Sequence, residues 1–505
     1  MNALIIGGGL GGLFSGAILA KEGLKVTILE KNVTVGGGLQ NFTRFGEVFD
    51  TGMHVVGGLQ EGGNIRRICN YLGIWDKIHL RKIPSECTDR LYFAEDKKYY
   101  QIASGKDQFV ASLSRYFPRQ YDNLVGYVEA MYRVVEEMDL FHLRPEMRDI
   151  FSHSEDFGMS AERFIAKYIS DERLRQIVAY LNPLYGGRAN MTPAFIHATI
   201  SVLHLNGLNR FAGGSQLFAE TLSDYIKERG GQVIVGDGVQ QIHTEGRNIT
   251  GVTSQTGKFF TADYYISDIH PCTLLTLLDD ASILPKAYRM RLQEIPNTYS
   301  AFILYLKLKP KTFPYLSHTG YYMQSYDMMW NFGNASQTGN SQSPNGKFPW
   351  PLGFLYMTPP EIEQGEFSRK MIITAPMVWQ EVSRWEDTSV GHRGLEYEEW
   401  KKACAEKLLS GMEEMYPGFR GYVENMNTAS PLTIRDYYGV KEGAMFGYAK
   451  DWKNMALSLV PVVTKIPNLL LTGQCNNLHG FCGVPLTAIN TCEAILGKNY
   501  VINKL

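Results

Sequence analysis

The chain has 505 residues, of which 44% are hydrophobic and 20% charged, a composition typical of a folded protein with two or three packed units. Fifty basic side chains nearly balance 51 acidic ones, so no global positive field exists to attract nucleic acid, and we expect no nucleic acid partner. The seven cysteines form no C-x-x-C pair or zinc-ligand spacing, which favours a cytoplasmic location and no bound metal. No apolar run is long enough for a transmembrane helix.

The first thirty residues predict a strand, a glycine turn, a helix and a second strand. Gly7, Gly9 and Gly12 complete the spacing G-x-G-x-x-G between the apolar residues 2–6 and an apolar helical run. In this motif the glycines allow a tight turn, a close approach of a pyrophosphate, and close packing of helix and strand. Glu30 ends the second strand at the distance expected for an acid that accepts hydrogen bonds from a ribose. We therefore predict a dinucleotide site at Gly7, Gly9, Leu10, Gly11, Gly12 and Glu30.

A second glycine cluster, Gly36-Gly37-Gly38, follows soon after Lys31. FAD requires another close backbone approach at this point, whereas NAD does not. A flexible turn is the alternative interpretation. If the cluster contacts FAD, the cofactor-binding residues continue with Lys31, Gly37, Gly38, Leu39, Asp50, Thr51, Gly52, Met53 and His54.

This opening resembles that of the phytoene desaturase, carotenoid isomerase and retinol saturase family of FAD-dependent oxidoreductases. The similarity lies in Glu30-Lys31, Gly37-Gly38, the run from Phe49 to His54, and Gly57. Many members carry Arg or Lys after the paired glycines. This chain has Leu39-Gln40, which is most similar to the retinol saturase branch. The resemblance implies an α/β fold: a Rossmann-like FAD-binding domain of the glutathione-reductase and amine-oxidase type, an inserted mixed β-sheet substrate domain, and a helical cap.

Apolar spacing predicts helices at 64–72, 106–143 with a break near Pro118, 161–181 and 194–205. In the family a helical region of this kind caps a substrate tunnel. The resemblance therefore implies a cap at 76–212 whose apolar faces pack on the protein, with some peripheral membrane contact. Tyr185 and His197 are weak candidates for proton transfer within it.

The passage from 213 to 267 predicts a helix at 217–229, a strand at 232–235, and a strand pair at 248–254 and 258–266 with its turn at Gly257. By resemblance, Val239 meets the adenine side of FAD through its backbone. Ser267 lies where the chain returns to the cofactor sheet. We include Val239 and Ser267 among the predicted cofactor-binding residues.

Strand patterns follow at 300–308, 319–323, 353–357 and 370–375, and the polar stretch 335–348 predicts a loop. Methionine and aromatic residues at 321–330 suit either an apolar ligand pocket or ordinary core. A helix is expected at 398–415, then a turn at 428–433. By resemblance, the stretch of small residues at 443–447 lies near the flavin.

The C-terminal part predicts a strand running into Gly473, then a helix at 487–496 with Pro485 in its first turn. This passage resembles the closing flavin motif of the family. A helix N-terminus aimed at a flavin stabilises negative charge on the reduced ring. The alternative is a strand and helix that only complete the core. The predicted flavin contacts are Gly473, Gln474, Gly483, Val484, Pro485 and Leu486.

These patterns predict an FAD-binding domain from 1–75, 213–290 and 446–505, a helical cap and substrate region at 76–212, and a β-sheet substrate domain at 291–445. His54 and His479 are candidates to exchange a proton, or simply to hydrogen-bond the cofactor or backbone. No second strand–G-x-G-x-x-G–helix unit occurs, so the electron donor or acceptor stays open. The expected activity is FAD-dependent oxidoreduction of C–C or C=C bonds in a long apolar polyene or isoprenoid-like lipid, by saturation, isomerisation or desaturation. A flavin amine oxidase and a lipid carrier of the GDP-dissociation-inhibitor type are the alternatives.

Overall fold

The structure is a computed structural model that describes residues 1–145, 152–334 and 350–505. The loop predicted at 335–348 lies outside these residues. In the described part of the chain the helices are α1 (Leu10–Lys21), α2 (Asn64–Leu72), α3 (Lys106–Ser114), α4 (Tyr121–Glu136), α5 (Glu155–Gly158), α6 (Ala161–Tyr168), α7 (Glu172–Val178), α8 (Ala194–Leu205), α9 (Gln216–Glu228), α10 (Pro271–Leu277), α11 (Lys286–Glu294), α12 (Leu395–Met415), α13 (Pro431–Tyr438), α14 (Met455–Ser458) and α15 (Gly480–Leu496).

The strands in the same residues are β1 (Asn2–Ile6), β2 (Lys25–Leu29), β3 (Asn41–Arg44), β4 (Glu47–Asp50), β5 (Leu80–Lys82), β6 (Asp89–Phe93), β7 (Lys98–Ile102), β8 (Asn209–Phe211), β9 (Gln232–Ile234), β10 (Val239–Glu245), β11 (Asn248–Ser254), β12 (Phe259–Phe260), β13 (Tyr264–Ser267), β14 (Ser300–Leu308), β15 (Thr319–Met323), β16 (Gly353–Met357), β17 (Lys370–Met377), β18 (Val423–Ala429) and β19 (Leu469–Leu471).

A five-stranded parallel sheet in the order β19-β13-β1-β2-β9 brings together both ends and the middle of the chain. Helix α1 packs against α9 and α15 and is buried from Gly11 to Ala20, because its sequence is apolar or small on every side. The strands β2 and β13 lie on opposite sides of β1. Their carboxyl ends therefore border a crevice at a switch point, the usual ligand position of such sheets.

A seven-stranded sheet in the order β18-β14-β17-β16-β15-β6-β7 forms the second layer. Its neighbours are antiparallel except for β6 and β15, which run parallel. Strands β15 and β16 are buried along their whole length, which explains their continuous apolar sequences. The strands β6 and β7 come from the region expected to form the helical cap, so this sheet draws on both predicted substrate regions.

Helix α4 packs against α3, α6 and α8 beside the second sheet. Helices lie in all the predicted stretches, with the break at Pro118 and a further break between α6 and α7 that the apolar spacing did not reveal. The stretches predicted to reach 143 and 181 end earlier, at Glu136 and Val178. In the described residues, no helix is both long and apolar enough to span a bilayer.

The strand pair at 248–266 was predicted with one continuous second strand, and this is wrong. Residues 259–260 pair with β11, whereas residues 264–267 leave that hairpin and enter the parallel sheet between β1 and β19. The backbone N–H of Asp263 donates to the carbonyl of Asn2 at 3.1 Å, which fixes the crossing between the two sheets. The hydrophobic pattern does not distinguish one bent strand from two short ones.

Two helix boundaries also differ from the sequence prediction. Helix α15 starts at Gly480, so Pro485 lies inside the helix and not in its first turn. The expected turn at 428–433 is instead the end of β18 and the start of α13. There, Ser430 accepts a hydrogen bond from the N–H of Leu432, and its own N–H donates to Thr433. Proline at the first position of α13 is compatible with helix because that N–H needs no partner.

Candidate active site

A cavity of about 560 Å³ lies outside the carboxyl ends of β1, β2 and β13 and extends to the second sheet. Ile6, Leu29 and Asp268 line it at the parallel sheet. Tyr299, Thr319, Leu355 and Thr374 line it from four adjacent strands of the mixed sheet or their edges, and Leu203 lines it from α8. The glycine loop therefore shares one continuous space with the part of the cavity between α8 and the mixed sheet, which we call the apolar chamber.

The glycine loop forms a cradle in which side chains have no room. Gly7 has a φ of +99°, a conformation that favours glycine. A Cβ atom built on Gly9 would lie 2.6 Å from a carboxylate oxygen of Asp268, and one on Gly11 would lie 2.8 Å from the backbone nitrogen of Gly473. Gly9 begins α1 and its side-chain position carries no cap, so the helix N-terminus suits an anion, although the Asp268 carboxyl group lies close to the N–H groups of Gly9 and Gly12.

Glu30 and Lys31 form the edge of the cavity after β2. The buried Glu30 carboxylate accepts hydrogen bonds from the backbone N–H groups of Gly8 and Asn32, each at 2.7 Å. The Lys31 ammonium donates to the carbonyl of Asp436 at 2.7 Å, and burial lowers its pKa. These bonds fix the acidic side chain where the ribose was predicted and connect this edge to the end of α13.

Asp268 is a buried carboxyl group that sequence reasoning missed. Its carboxylate packs against Gly9, Gly11, Gly12 and Gly473. Its Oδ2 atom has no hydrogen-bond partner that meets standard geometry among the described residues. Burial raises the pKa of Asp268 to about 7, with Glu30 adding to the rise and the N–H groups of Gly12 and Gly9 opposing it. The position directly after a parallel strand, at the switch point, is the signal that could have identified it.

The second glycine cluster and the residues after β4 form another wall. Gly37, Gly38, Leu39, Gly52 and Met53 line the cavity. Asp50 and Thr51 were predicted as cofactor contacts, but neither is among the lining residues.

Asp50 instead accepts hydrogen bonds from the N–H and the hydroxyl of Ser215, at 2.9 and 3.1 Å. The Thr51 hydroxyl donates to the carbonyl of Gly38 at 3.0 Å and accepts from Tyr438 at 2.9 Å. Both side chains therefore position the wall through α9, α13 and the glycine cluster.

The C-terminal segment closes the cavity with Gly473, Gln474, His479, Gly480 and Val484. The buried ammonium of Lys450 donates to the carbonyls of Ser458, Cys475 and Asn476, so it holds this segment in place.

Besides Asp50 and Thr51, five further predicted cofactor residues lie outside the cavity lining: Gly12, Ser267, Gly483, Pro485 and Leu486. Gly12 packs under the loop, Ser267 is buried in β13, and the other three lie on buried parts of α15. Val239 lines the cavity together with Gly238 and Gln255, on the side predicted for the adenine.

His54 and His479 both line the cavity, and both are neutral at neutral pH. Burial lowers the pKa of His54, opposed by Asp50, and lowers the pKa of His479 to about 3, to which Lys450 contributes. Nδ1 of His54 and Nε2 of His479 are buried and have no hydrogen-bond partner among the described residues. Tyr185 and His197 are placed elsewhere: they bond to each other at 3.0 Å in a fully buried network outside the lining.

Most of the lining beyond the glycine loops is apolar or aromatic, from Pro183, Leu184, Ile200, Leu203, Leu208, Met445, Phe446 and neighbouring residues. Its polar members include His204, Ser300, Thr319 and Thr374. Among the lining residues that the structure describes, the only carboxylates are Glu30 and Asp268, both at the dinucleotide loop. The described residues also contain no cluster of three metal-ligating side chains.

The parallel sheet, the G-x-G-x-x-G loop at its switch point and the attached apolar chamber define a dinucleotide-binding oxidoreductase. The family model for flavin containing amine oxidoreductases matches residues 10–356, more than half of the chain, so the chain belongs to this family. It is a flavin-dependent oxidoreductase, and the sequence-based prediction of that class is confirmed.

Named relatives agree with this assignment. The chain is 26% identical over 537 residues to all-trans-retinol 13,14-reductase from Rattus norvegicus, covering 99% of this chain and 86% of that protein. It is 23% identical over 460 residues to the chloroplastic prolycopene isomerase 2 of an Oncidium hybrid cultivar, covering 88% and 74%. The crystal structure of an oxidoreductase from Methanosarcina mazei superposes with a TM-score of 0.64 at 17% identity, over 98% of this chain and 100% of that one, which shows a shared fold. The resemblance inferred from the glycine motifs is thus confirmed.

Proposed function

We propose that the flavin is FAD and that the enzyme acts on a C=C or C–C bond of a long apolar polyene or isoprenoid-like lipid. One observation carries the proposal: the glycine-lined dinucleotide crevice opens directly into an apolar chamber. A substrate that enters this chamber meets the cofactor site without crossing a polar wall.

FAD is supported over a mononucleotide flavin by the length of the cradle. The lining continues past Glu30 to Gly238, Val239 and Gln255, which a mononucleotide would not need. The open α1 N-terminus suits the pyrophosphate. We retain the division of the chain into a discontinuous FAD domain, a cap and a β-sheet substrate domain as part of this proposal.

FAD supplies hydride transfer when bound. The residues of this chain would hold it: the Gly9–Gly11 loop takes the pyrophosphate, and Glu30 accepts from the ribose. The segment from Gly473 to Val484 and the residues from Gly52 to His54 enclose the reactive end. The apolar walls exclude water, and neutral His54 and His479 can hydrogen-bond a substrate or cofactor and pass a proton.

An apolar substrate fits this chamber better than an amine. A cationic amine loses its hydration on entry and needs a carboxylate partner, yet Glu30 and Asp268 are the only carboxylates among the described lining residues and both lie at the dinucleotide loop. Saturation ranks first because of the retinol reductase relative, and isomerisation follows because of the prolycopene isomerase relative. Saturation adds one hydride and one proton across a double bond, so the donor must supply two electrons.

The chemistry of such lipids also supports a cytoplasmic enzyme that contacts membranes peripherally through the region 76–212. Sedimentation with liposomes that carry the polyene tests this contact. Retention of all protein in the supernatant, with and without the polyene, would remove it from the proposal.

The function is tested with the purified flavoprotein. Heat extraction followed by chromatography should release FAD. Incubation of the oxidised and the dithionite-reduced protein with all-trans-retinol or a carotene, followed by mass spectrometry, separates the reactions. A gain of two hydrogens indicates saturation, a loss indicates desaturation, and an unchanged mass with a new retention time indicates isomerisation. Unaltered polyenes combined with peroxide formed from an amine would reject the proposal.

A further inference from the structure

A second cavity of about 540 Å³ lies beside the apolar chamber, and we call it the outer cavity. It is bounded by α2, β5, the start of α3 and the end of α8. Leu208, in the connection from α8 to β8, lines both the outer cavity and the chamber. The reaction proposed above does not use the outer cavity, so its polar lining needs a separate explanation.

Two cationic side chains line the outer cavity without an acidic partner. The Arg66 guanidinium lies 4.6 Å from the centre of the Trp75 ring, which holds it against the wall. Neither Arg66 nor Lys82 forms an ion pair with a described residue. Glu61, which is exposed, is the only acidic side chain among the described lining residues. The outer cavity therefore carries a net positive charge and favours an anion.

Unpaired hydrogen-bond donors lie at the start of α3, on the same cavity. Ser104 is only 4% exposed, yet its hydroxyl has no hydrogen-bond partner among the described residues. Helix α3 begins after Gly105 without a side-chain cap, so the N–H groups of its first turn have no partner within the helix. Asp107, the acidic residue of that turn, does not line the cavity. A buried hydroxyl without a partner is costly unless a ligand or water accepts from it.

Gln108 lies over this end of the helix, with its side-chain oxygen against Gly105. The amide group forms no hydrogen bond with a described residue, so it can rotate and present its NH₂ group to an anion. It thus adds a donor to the site when an anion is bound.

We propose that the outer cavity binds the phosphate group of an anionic ligand. The Ser104 hydroxyl, the first-turn N–H groups of α3, and the Arg66 and Lys82 side chains supply donors and positive charge from several elements of the wall. A phosphate has enough acceptor oxygens to bond to several of them at once, and a guanidinium can hold two of these oxygens. Two sources share this chemistry, a small phosphate-bearing molecule and the headgroup of a phospholipid. The site does not involve the flavin, so it goes beyond the proposed function.

The first test is calorimetric titration of the FAD-saturated protein with inorganic phosphate at low ionic strength, where FAD occupies the glycine loop. Phosphate should bind saturably. Arg66→Gln and Lys82→Gln should each weaken it about tenfold, the value of a charge-assisted hydrogen bond, and Ser104→Ala about fivefold. Lys77→Gln is the matched control, because it removes the same charge from a side chain that pairs with Glu228 at 3.7 Å and does not line the cavity. Its phosphate affinity should equal that of the unmutated protein.

The second test separates the two sources by sedimentation with vesicles of phosphatidylcholine, alone or with phosphatidic acid. Sedimentation that requires phosphatidic acid, is lost in Lys82→Gln and is competed by phosphate supports a lipid headgroup. Saturable phosphate binding without such sedimentation supports a small phosphate-bearing molecule.

The proposal would be overturned by a holoprotein that shows no saturable phosphate binding. It would also be overturned by an affinity for phosphate that is unchanged in Arg66→Gln, Lys82→Gln and Ser104→Ala, or that falls equally in Lys77→Gln. If Arg66→Gln fails to retain FAD, because the contact with Trp75 is lost, the exposed Lys82 and the conservative change Ser104→Ala decide the matter.

Discussion

The carboxyl group of Asp268 makes flavin binding depend on pH in a direction that the structure fixes. Its pKa is raised by burial from the usual 3.8 to about 7, and it packs against the glycines of the loop to which we assign the pyrophosphate. Below pH 7 the group is protonated and compatible with the cofactor's negative charge. Above pH 7 an ionised Asp268 opposes that charge, so binding must take up a proton.

The size of the pH effect on the affinity for FAD follows from the linkage between proton binding and cofactor binding. Each pH unit above the pKa of the flavin-free protein costs about 1.4 kcal/mol, a factor of ~10 in affinity, until the pKa of the complex is reached. Between pH 7 and pH 9 the Kd for FAD should therefore rise by up to ~100-fold, while between pH 5 and pH 6 it should stay constant. Asp268→Asn keeps the shape and removes the charge, so its Kd should rise much less between pH 7 and pH 9 than that of the unmutated protein, and it should be lower at pH 9.

The assay is titration of flavin-free protein with FAD, followed by quenching of flavin fluorescence. Lys450 also titrates in this range, because burial lowers its pKa to about 8, so the comparison with Asp268→Asn isolates the carboxyl group. The same charge acts on folding: the raised pKa costs about 4 kcal/mol above pH 7 and nothing below pH 3.8. Asp268→Asn should therefore raise the thermal midpoint of the flavin-free protein at pH 8. A Kd that is flat in the unmutated protein, or a slope of the same size in Asp268→Asn, would refute this reasoning.

Three further predictions concern the loop, the ribose acid and the candidate proton-transfer group. Gly11→Val should give flavin-free protein, because even a Cβ atom would lie 2.8 Å from the Gly473 nitrogen. The control Gly421→Ala has open space around it and should keep its full flavin content, measured by absorbance. Glu30→Ala should weaken FAD by roughly 1–3 kcal/mol in the fluorescence titration, because it leaves polar groups unpaired, and an unchanged Kd would remove Glu30 from the ribose role. His479→Gln should leave the pH profile of flavin reoxidation between pH 5 and pH 9 unaltered, because burial holds the pKa of His479 near about 3, and a lost inflection in that range would contradict its neutral state.

The glycine motif could be recognised in the sequence because each of its positions requires glycine for a steric reason. Gly9 and Gly12 have no room for a side chain, and the strand and helix around them are continuous apolar runs. The local pattern therefore predicted both the loop and the class of cofactor. The bounds of α2 and α8 were equally readable, since their apolar spacing ends at polar or glycine residues.

The features that could not be predicted from the sequence are those that depend on tertiary contacts. The strands β6 and β7 look like any short amphipathic pair, and only their pairing with β15 places them in the second sheet. Asp268 follows a strand that the sequence alone does not assign to the parallel sheet, and its importance comes from the glycines that face it. The motif at Asp50 indicated a cofactor contact, and the structure shows that its Oδ1 atom accepts hydrogen bonds from the Ser215 backbone and hydroxyl, a contact that the sequence did not indicate.

The central claim is that a flavin in the crevice exchanges electrons with an apolar polyene in the adjoining chamber. Anaerobic reduction of the bound flavin, followed by rapid mixing with all-trans-retinol and with a carotene, tests it most directly through the flavin absorbance band. We predict that a polyene reoxidises the flavin and gains two hydrogens, or is isomerised without net change in flavin redox state. Polyenes that leave the flavin reduced and emerge unaltered, while an amine reduces the oxidised flavin, would contradict the account.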